Sequence, residues 1–375
     1  MRIACFTQFA YGKKLGGSKV LVELGEELNR QGHETRVLTP FEFLGETANH
    51  KTHALDYAQA IQKFTHDEKT NFDVFDVDCA YLHFTRCDYA LEPLLVSRSV
   101  LLTLWLESEI KIPERKTLRS LAGKLLKGRQ RQQEQQRLFA AMRNSFREAD
   151  LVNLANTQDK KLLVRDGISH EKIIVQSYGI DANRRALFDA QPILPENSFR
   201  VAFVGTYDER KGRCEFPRFV RALAKNFPQV RVVLLGTYKT EQEVKADFPS
   251  DLVQHIEVLP AFEPEQLPAL LAACTVGIFP SHLEAFGFGV LEMLAAGLPV
   301  IAYNSPGPPE MLPPEWLVPR GDWQAMAARV SEILTQEDTE ILHHKQRARE
   351  LSRRFSWQNI AQQTAQLYEE ALQRR

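Results

Sequence analysis

An α/β chain made of two parallel, doubly wound halves is predicted, and three observations predict it. Short apolar runs of the kind found in buried parallel strands alternate with helical segments along nearly the whole sequence. One turn-rich stretch, DAQPILPENSF at 189–199, interrupts that alternation near the middle. The 375 residues also suffice for two domains of ordinary size, at roughly 100–200 residues each. The expected domains are 1–190 and 198–356, followed by a terminal helix at 357–375.

Taken in order, RIACFT opens as a buried strand and leads through a loop containing Gly16 and Gly17 into a helix. Val20, Leu21, Leu24 and Leu28 recur there at helical spacing, with Ser18 as the capping residue and Gly32 as the stop. ETRVLTP is the next strand, and VDCAYLHF, SVLLTLW, ADLVNLAN and KIIVQS read as further strands of the first half. In the second half the strands are FRVAFVG, VRVVLLG, HIEVLP, TVGIFPS and LPVIAYN. Helices are expected near 214–226, in EQLPALLAA and in EAFGFGVLEMLAAG. The final SWQNIAQQTAQLYEEALQRR forms one amphipathic helix, with Trp357 ahead of Ile360, Leu367 and Ala371. Two such sheets place a ligand at the carboxyl ends of their strands, in a central cleft between facing domains.

Composition excludes several classes. Lys and Arg number 47 against 48 Asp and Glu, a formal net charge of -1, which argues against nucleic acid as the main partner. Cys5, Cys79, Cys87, Cys214 and Cys274 are odd in number and scattered, so neither a disulfide framework nor a zinc site is expected, and the chain is assigned to a reducing, cytoplasmic compartment. MRIACFTQFA lacks a basic lead and a cleavage site, and no run of about 18 apolar residues follows it.

The chemistry is concentrated in PSHLEAFGFGVLEMLAAGLPVIAYNSPGPPE, where Glu284 and Glu292 bracket a Gly-containing entry to a helix. Backbone N–H groups at such a junction bind phosphate, and a carboxylate accepts paired hydrogen bonds from vicinal sugar hydroxyls. Taken alone, two glutamates favour the reading of one solvated helix face.

The wider set of motifs is more specific. EAFGFGVLE followed by MLAAGLPVIA resembles the signature of the retaining glycosyltransferases of family 4, two-domain enzymes of the GT-B fold. The similarity extends over nearly the whole chain. LGGSKVLVELGEELNRQGHETRVLT is similar to the family's glycine loop and first helix, and SYGID, with Asp181, resembles its Asn-Gly-Val-Asp corner. FVGTYDERKG resembles the opening of its nucleotide domain, and FSWQNIAQQTAQLYEEAL its closing helix, which crosses back to the first, acceptor-side domain.

The resemblance implies a sugar transferred from a nucleotide-diphosphate donor to a hydroxyl acceptor, with no cofactor and no metal. It places Glu284 beside the transferred sugar as the catalytic carboxylate and Glu292 on the donor ribose. Lys211 is implied on the diphosphate, and Gly17, Thr206, Phe286, Gly287 and Gly307 are implied around the donor. Glu310 is read as a carboxylate complementing a helix dipole. DVD at 76–78 is read as the polar edge of a strand, not a metal clamp.

Two departures stand out. Thr206 occupies the place of the family's usual arginine, leaving Arg210 or Arg213 as the second cation on the phosphates. Trp105 ends SVLLTLW where the family often has histidine, and it is either a sugar-stacking face or core. His83 is a second candidate sugar contact.

The stretch 111–131 is basic and amphipathic, so it reads either as a peripheral anchor on an anionic membrane or as an ordinary domain helix. A non-catalytic sugar-nucleotide or glycan-binding protein is the rival function. An epimerase or phosphorylase sharing the fold is another.

Overall fold

The computed structural model describes residues 1–12, 16–45, 54–113, 118–195 and 197–375; the side chains of residues 108 and 118–131 lie outside that description. Most of the basic stretch expected at 111–131 therefore falls outside it. Among the described residues no helix is long and apolar enough to cross a membrane.

The chain divides into two compact units. The first comprises Met1–Trp105, Lys116–Tyr178 and Trp357–Arg375, and the second Leu106–Arg115 and Gly179–Ser356. The second begins ahead of the boundary expected at 190–198. The helix Ala182–Asp189 explains the earlier seam, because its hydrogen bonds go to the second unit. Arg185 donates to Ser352 Oγ at 2.6 Å, Arg184 pairs with Glu292, and the N–H of Ile180 reaches the carbonyl of Phe355 at 3.1 Å.

The first unit carries a parallel sheet of six strands, β1 (Arg2–Phe6), β2 (Glu34–Leu38), β3 (Val74–Asp78), β4 (Leu94–Arg98), β5 (Leu151–Leu154) and β6 (Ile173–Val175), in the order β2-β1-β3-β4-β5-β6. The central strands are buried on both faces, as a parallel sheet covered by helices requires.

Two strands fall elsewhere than VDCAYLHF and SVLLTLW. The sheet uses VFDVD and LLVSR instead. Charged residues in a buried strand count against such a reading, but here Asp76 and Arg98 neutralise one another. Arg98 Nη2 is 2.7 Å from Asp76 Oδ2, and the Tyr368 hydroxyl donates to the same oxygen at 2.7 Å. DVD is thus the fully buried end of a central strand, not a polar edge. Residues 99–104 form no strand, and Trp105 starts the short helix Trp105–Ser108.

The helix after β1 runs Gly16–Arg30, so both glycines lie inside its first turn and do not precede it. Ser18 is likewise within the helix, its Oγ donating to the carbonyl of Gly12 at 2.8 Å. The closing helix, Trp357–Gln373, packs in the first unit. Its first residue donates from the indole to buried Glu23 at 2.6 Å, and Ile360, Ala361 and Ala365 face inward.

The second unit repeats the design with β7 (Arg200–Val204), β8 (Arg231–Leu235), β9 (Ile256–Leu259), β10 (Val276–Phe279), β11 (Val300–Tyr303) and β12 (Leu317–Val318). Their order is β12-β11-β10-β7-β8-β9, and all pairs are parallel. The first five correspond to the strands expected. β12 is only two residues long and carries no periodicity from which it could be read.

Each unit is therefore a Rossmann-like doubly wound sheet, the α/β architecture of GT-B proteins. Strand order reverses between β1 and β3 in the first unit and between β7 and β10 in the second. Ligands of such sheets bind outside the carboxyl ends of the strands flanking the reversal.

Candidate functional site

In the second unit, the loops leaving β7 and β10 meet at that reversal. After β7 the chain turns through Asp208, which caps the turn Glu209–Lys211 by accepting from the Lys211 N–H at 3.1 Å. Gly212 ends the turn at φ 86°, and a Cβ there would stand 2.6 Å from the carbonyl oxygen of Pro280. Only glycine permits both that conformation and so close an approach to the loop after β10.

The carboxylate of Glu284 sits where the loops touch. Its Oε1 lies 2.5 Å from Lys211 Nζ and 2.7 Å from Arg210 Nη1, and it accepts from Ser281 Oγ at 2.5 Å. Burial works to raise the pKa of Glu284, but the charges of Lys211 and Arg210 and the hydrogen bonds outweigh it, holding the carboxyl below its usual range. Burial also draws the Lys211 ammonium below the ordinary lysine value, with Glu284 opposing and Arg210 reinforcing the shift. Lys211 Nζ further lies 4.7 Å from the centroid of the Phe279 ring.

Eight residues on, Glu292 projects from the helix Phe288–Ala295, which Gly287 opens at φ 99°. Its Oε1 is 2.7 Å from Arg184 Nη2, and Arg184 belongs to the helix that Asp181 caps. The Gly307 loop lies against the same junction. Gly307 adopts φ 101°, and a Cβ would come within 2.7 Å of the carbonyl oxygen of Phe286, so the two loops are in backbone contact. Phe286 is buried, its ring edge-on to those of Phe288 and Phe355.

Glu284, Lys211, Phe286, Gly287, Glu292 and Gly307 thus come from the loops and helix around one sheet edge. Thr206 is also on the loop after β7, but its hydroxyl donates to Asp208 Oδ2 at 2.7 Å and shapes the turn. Of the two arginines considered in its place, Arg210 converges with Lys211 on Glu284. Arg213 turns away to Asp247 at 2.6 Å and stacks on Tyr207.

The remaining candidates are in the first unit. Gly17 is covered by the Phe9 ring, which a Cβ on Gly17 would overlap. His83 bonds the carbonyl of Ala80 at 2.7 Å. Trp105 is 6% exposed and donates its indole N–H to buried Asp159 at 2.6 Å, so it fills the core.

Sequence reasoning missed Arg184, Ser281, Glu215 and His282. Arg184 carries a faint signal, since it stands three residues after the Asp181 corner. The other three are visible only once the loops have met. Among the described residues no cluster of three or more His, Cys, Asp or Glu side chains could hold a metal ion.

Fold and site together describe an α/β protein with a cluster of paired charges at the strand-order reversal of its second sheet. Residues 185–353 match the family described as Glycosyl transferases group 1. A D-inositol 3-phosphate glycosyltransferase from Corynebacterium efficiens is 29% identical over 276 residues, 62% of this chain and 64% of the relative. The chain spans between 57% and 64% of the length of such curated relatives. Among solved structures, sucrose-phosphate synthase from Thermosynechococcus elongatus aligns with TM-score 0.71 and 19% identity over 100% of both chains. Anabaena Alr3699/HepE in complex with UDP-glucose aligns with TM-score 0.67 and 20% identity, covering 99% of this chain and 100% of that one. At those identities the structures establish the likeness of fold.

Proposed function

We propose that this protein is a retaining glycosyltransferase that moves a sugar from a nucleotide diphosphate to a hydroxyl acceptor. The observation that carries the reading is the convergence of Lys211, Arg210 and Glu284 at the strand-order reversal of the second sheet, beside the helix bearing Glu292. The family match over 185–353 supports the activity, and the solved complex of a fold relative with UDP-glucose favours a uridine donor as the first to try.

In this reaction the bond from the anomeric carbon to the diphosphate oxygen breaks and the acceptor oxygen bonds to that carbon. The hydroxyl proton ends on the departing diphosphate. Negative charge grows on the leaving oxygens, and Lys211, Arg210 and the N–H groups of the loops are preorganised to meet it. Glu284 holds both cations in place and offers its carboxylate to the electron-poor sugar. Glu292, oriented by Arg184, accepts from the ribose hydroxyls. The cations supply the positive charge, and the reading assigns no part to a metal.

The test pairs binding with turnover. UDP, GDP, ADP and their sugar conjugates are screened by thermal shift, since a ligand bound only by the folded state raises apparent stability. Glu284→Ala is expected to slow turnover by about 10²–10³-fold while nucleotide affinity holds. Glu292→Ala is expected to weaken nucleotide binding by roughly tenfold or more. Unchanged turnover in the first variant and unchanged affinity in the second, with both proteins folded, would falsify these assignments.

A further inference from the structure

The loop 280–284 is laced to the turn after β7 at each step. The carbonyl of Arg210 accepts from the His282 N–H at 2.8 Å and from Ser281 Oγ at 3.3 Å. The guanidinium of the same arginine returns to the Leu283 carbonyl at 2.9 Å and to Glu284. Beside this lacing is a buried pair that the transfer reading does not use. His282 Nε2 lies 2.9 Å from Glu215 Oε1, and the two residues are 2% and 7% exposed.

We infer that Glu215 and His282 form a positioning pair for the transfer centre, fixing the loop that presents Glu284 to Lys211 and Arg210. A buried carboxylate is tolerated only with a partner, and the second oxygen of Glu215 has no hydrogen-bond partner among the described residues. The imidazole is therefore the group that holds this carboxyl group.

Glu215 is itself rigid. It occupies the N-cap position of the helix Phe216–Asn226, and its N–H bonds the Gly212 carbonyl at 3.0 Å. It thus belongs to the same continuous turn as Lys211, while His282 is two residues from Glu284. The pair links the two loops at a second point and sets the register of one against the other.

The ring of His282 is confined as well. Its centroid is 5.4 Å from that of buried Tyr303, and its Cε1 is 3.9 Å from where a Cβ on Gly321 would stand. The ionisable groups facing this pocket are Tyr303 and, through it, Asp322. Burial first, and then the charges of Glu215 and Asp322, push the Tyr303 phenol upward, so it stays neutral beside the pair. A misplacement of about 1 Å in a catalytic group costs on the order of a hundredfold in rate, so a second tie between the loops has kinetic value.

The kinetic part rests on the transferase reading; the geometric part stands without it. The experiment therefore measures kcat and donor KM for His282→Ala, His282→Gln and Glu215→Ala and solves the crystal structure of each. In His282→Ala, kcat is expected to fall by about tenfold or more with donor KM within about threefold, and Glu284 to leave Lys211. His282→Gln, whose amide N–H reaches the same carboxylate, is expected to restore most of the rate. A folded His282→Ala protein that keeps both its rate and the Glu284 contacts overturns the proposal, even if its melting temperature drops. Should that variant not fold, Glu215→Ala replaces it, and a rate within about twofold of the parent, with Glu284 in place, overturns the proposal equally. If the parent transfers no sugar, the functional reading fails, and the position of Glu284 in the variant structures alone decides.

Discussion

Both sheets set a carboxyl group at the reversal of strand order, and the two groups live in opposite electrostatic surroundings. At the second reversal, Glu284 has two cations and a hydroxyl on one oxygen and is held below the usual carboxylate range. At the first, Asp78 ends β3 with Gln8 Nε2 at 3.2 Å and the Ala80 N–H at 3.0 Å. Burial, opposed by those hydrogen bonds and aided by Asp76, raises its pKa from 3.8 to about 6. One topology thus carries a carboxylate held ionised by cations in one unit and a carboxyl whose ionisation is resisted by burial in the other. The second reversal gathers cations around its carboxylate, whereas the first surrounds its own with amide N–H donors.

The strongest way to break the contrast is to put an unmatched charge into the first unit. Arg98→Met leaves Asp76 buried with the Tyr368 hydroxyl as its remaining partner, and a loss of roughly 3–5 kcal/mol in urea unfolding is expected. A loss below about 1 kcal/mol would show that the pair is not what makes a charged residue tolerable in β3.

The next test works in the other direction. Because the folded chain binds the Asp78 proton more tightly than the unfolded chain, stability falls as pH rises from 3.8 to about 6, and the full cost is present above that. Asp78→Asn is expected to gain up to about 3 kcal/mol at pH 8 and almost nothing at pH 4, read from denaturant midpoints at both pH values. Glu284 has the opposite sign. Its contribution is complete above the ordinary value of 4.5 and is lost as pH falls. An Asp78→Asn gain that is the same at both pH values would contradict the contrast.

The smallest effect concerns the support of Glu292. Asp181→Ala removes the cap of the helix Ala182–Asp189, whose Arg184 orients that glutamate, and should cost about 1 kcal/mol. Nucleotide affinity should weaken with it, and unchanged affinity would detach the helix from the site.

The same contrast explains what the sequence could reveal. The second unit was legible because its strands are apolar apart from Arg200, Arg231 and Glu257, none of them fully buried, and its site residues are fixed by short loops whose glycines and capping residues appear in order. β3 and β4 were misplaced because each buries a charged residue whose partner is on another element. Asp76 and Arg98 become compatible with strands only when β3, β4 and the helix carrying Tyr368 are side by side. Glu215 and His282 escaped for the same reason, being 67 positions apart and paired only through the meeting of two loops.

The anchoring of Trp357–Gln373 also bears on the order in which the molecule is made. Glu23 waits for the indole of Trp357, and Asp76 and Arg98 wait for Tyr368, so the earliest-synthesised sheet lacks part of its polar interior until translation has passed residue 368. Every residue of the second unit has by then been translated. The first sheet, translated ahead of the second unit, is therefore completed after it, and a chain truncated within Trp357–Gln373 would leave that older sheet unfinished.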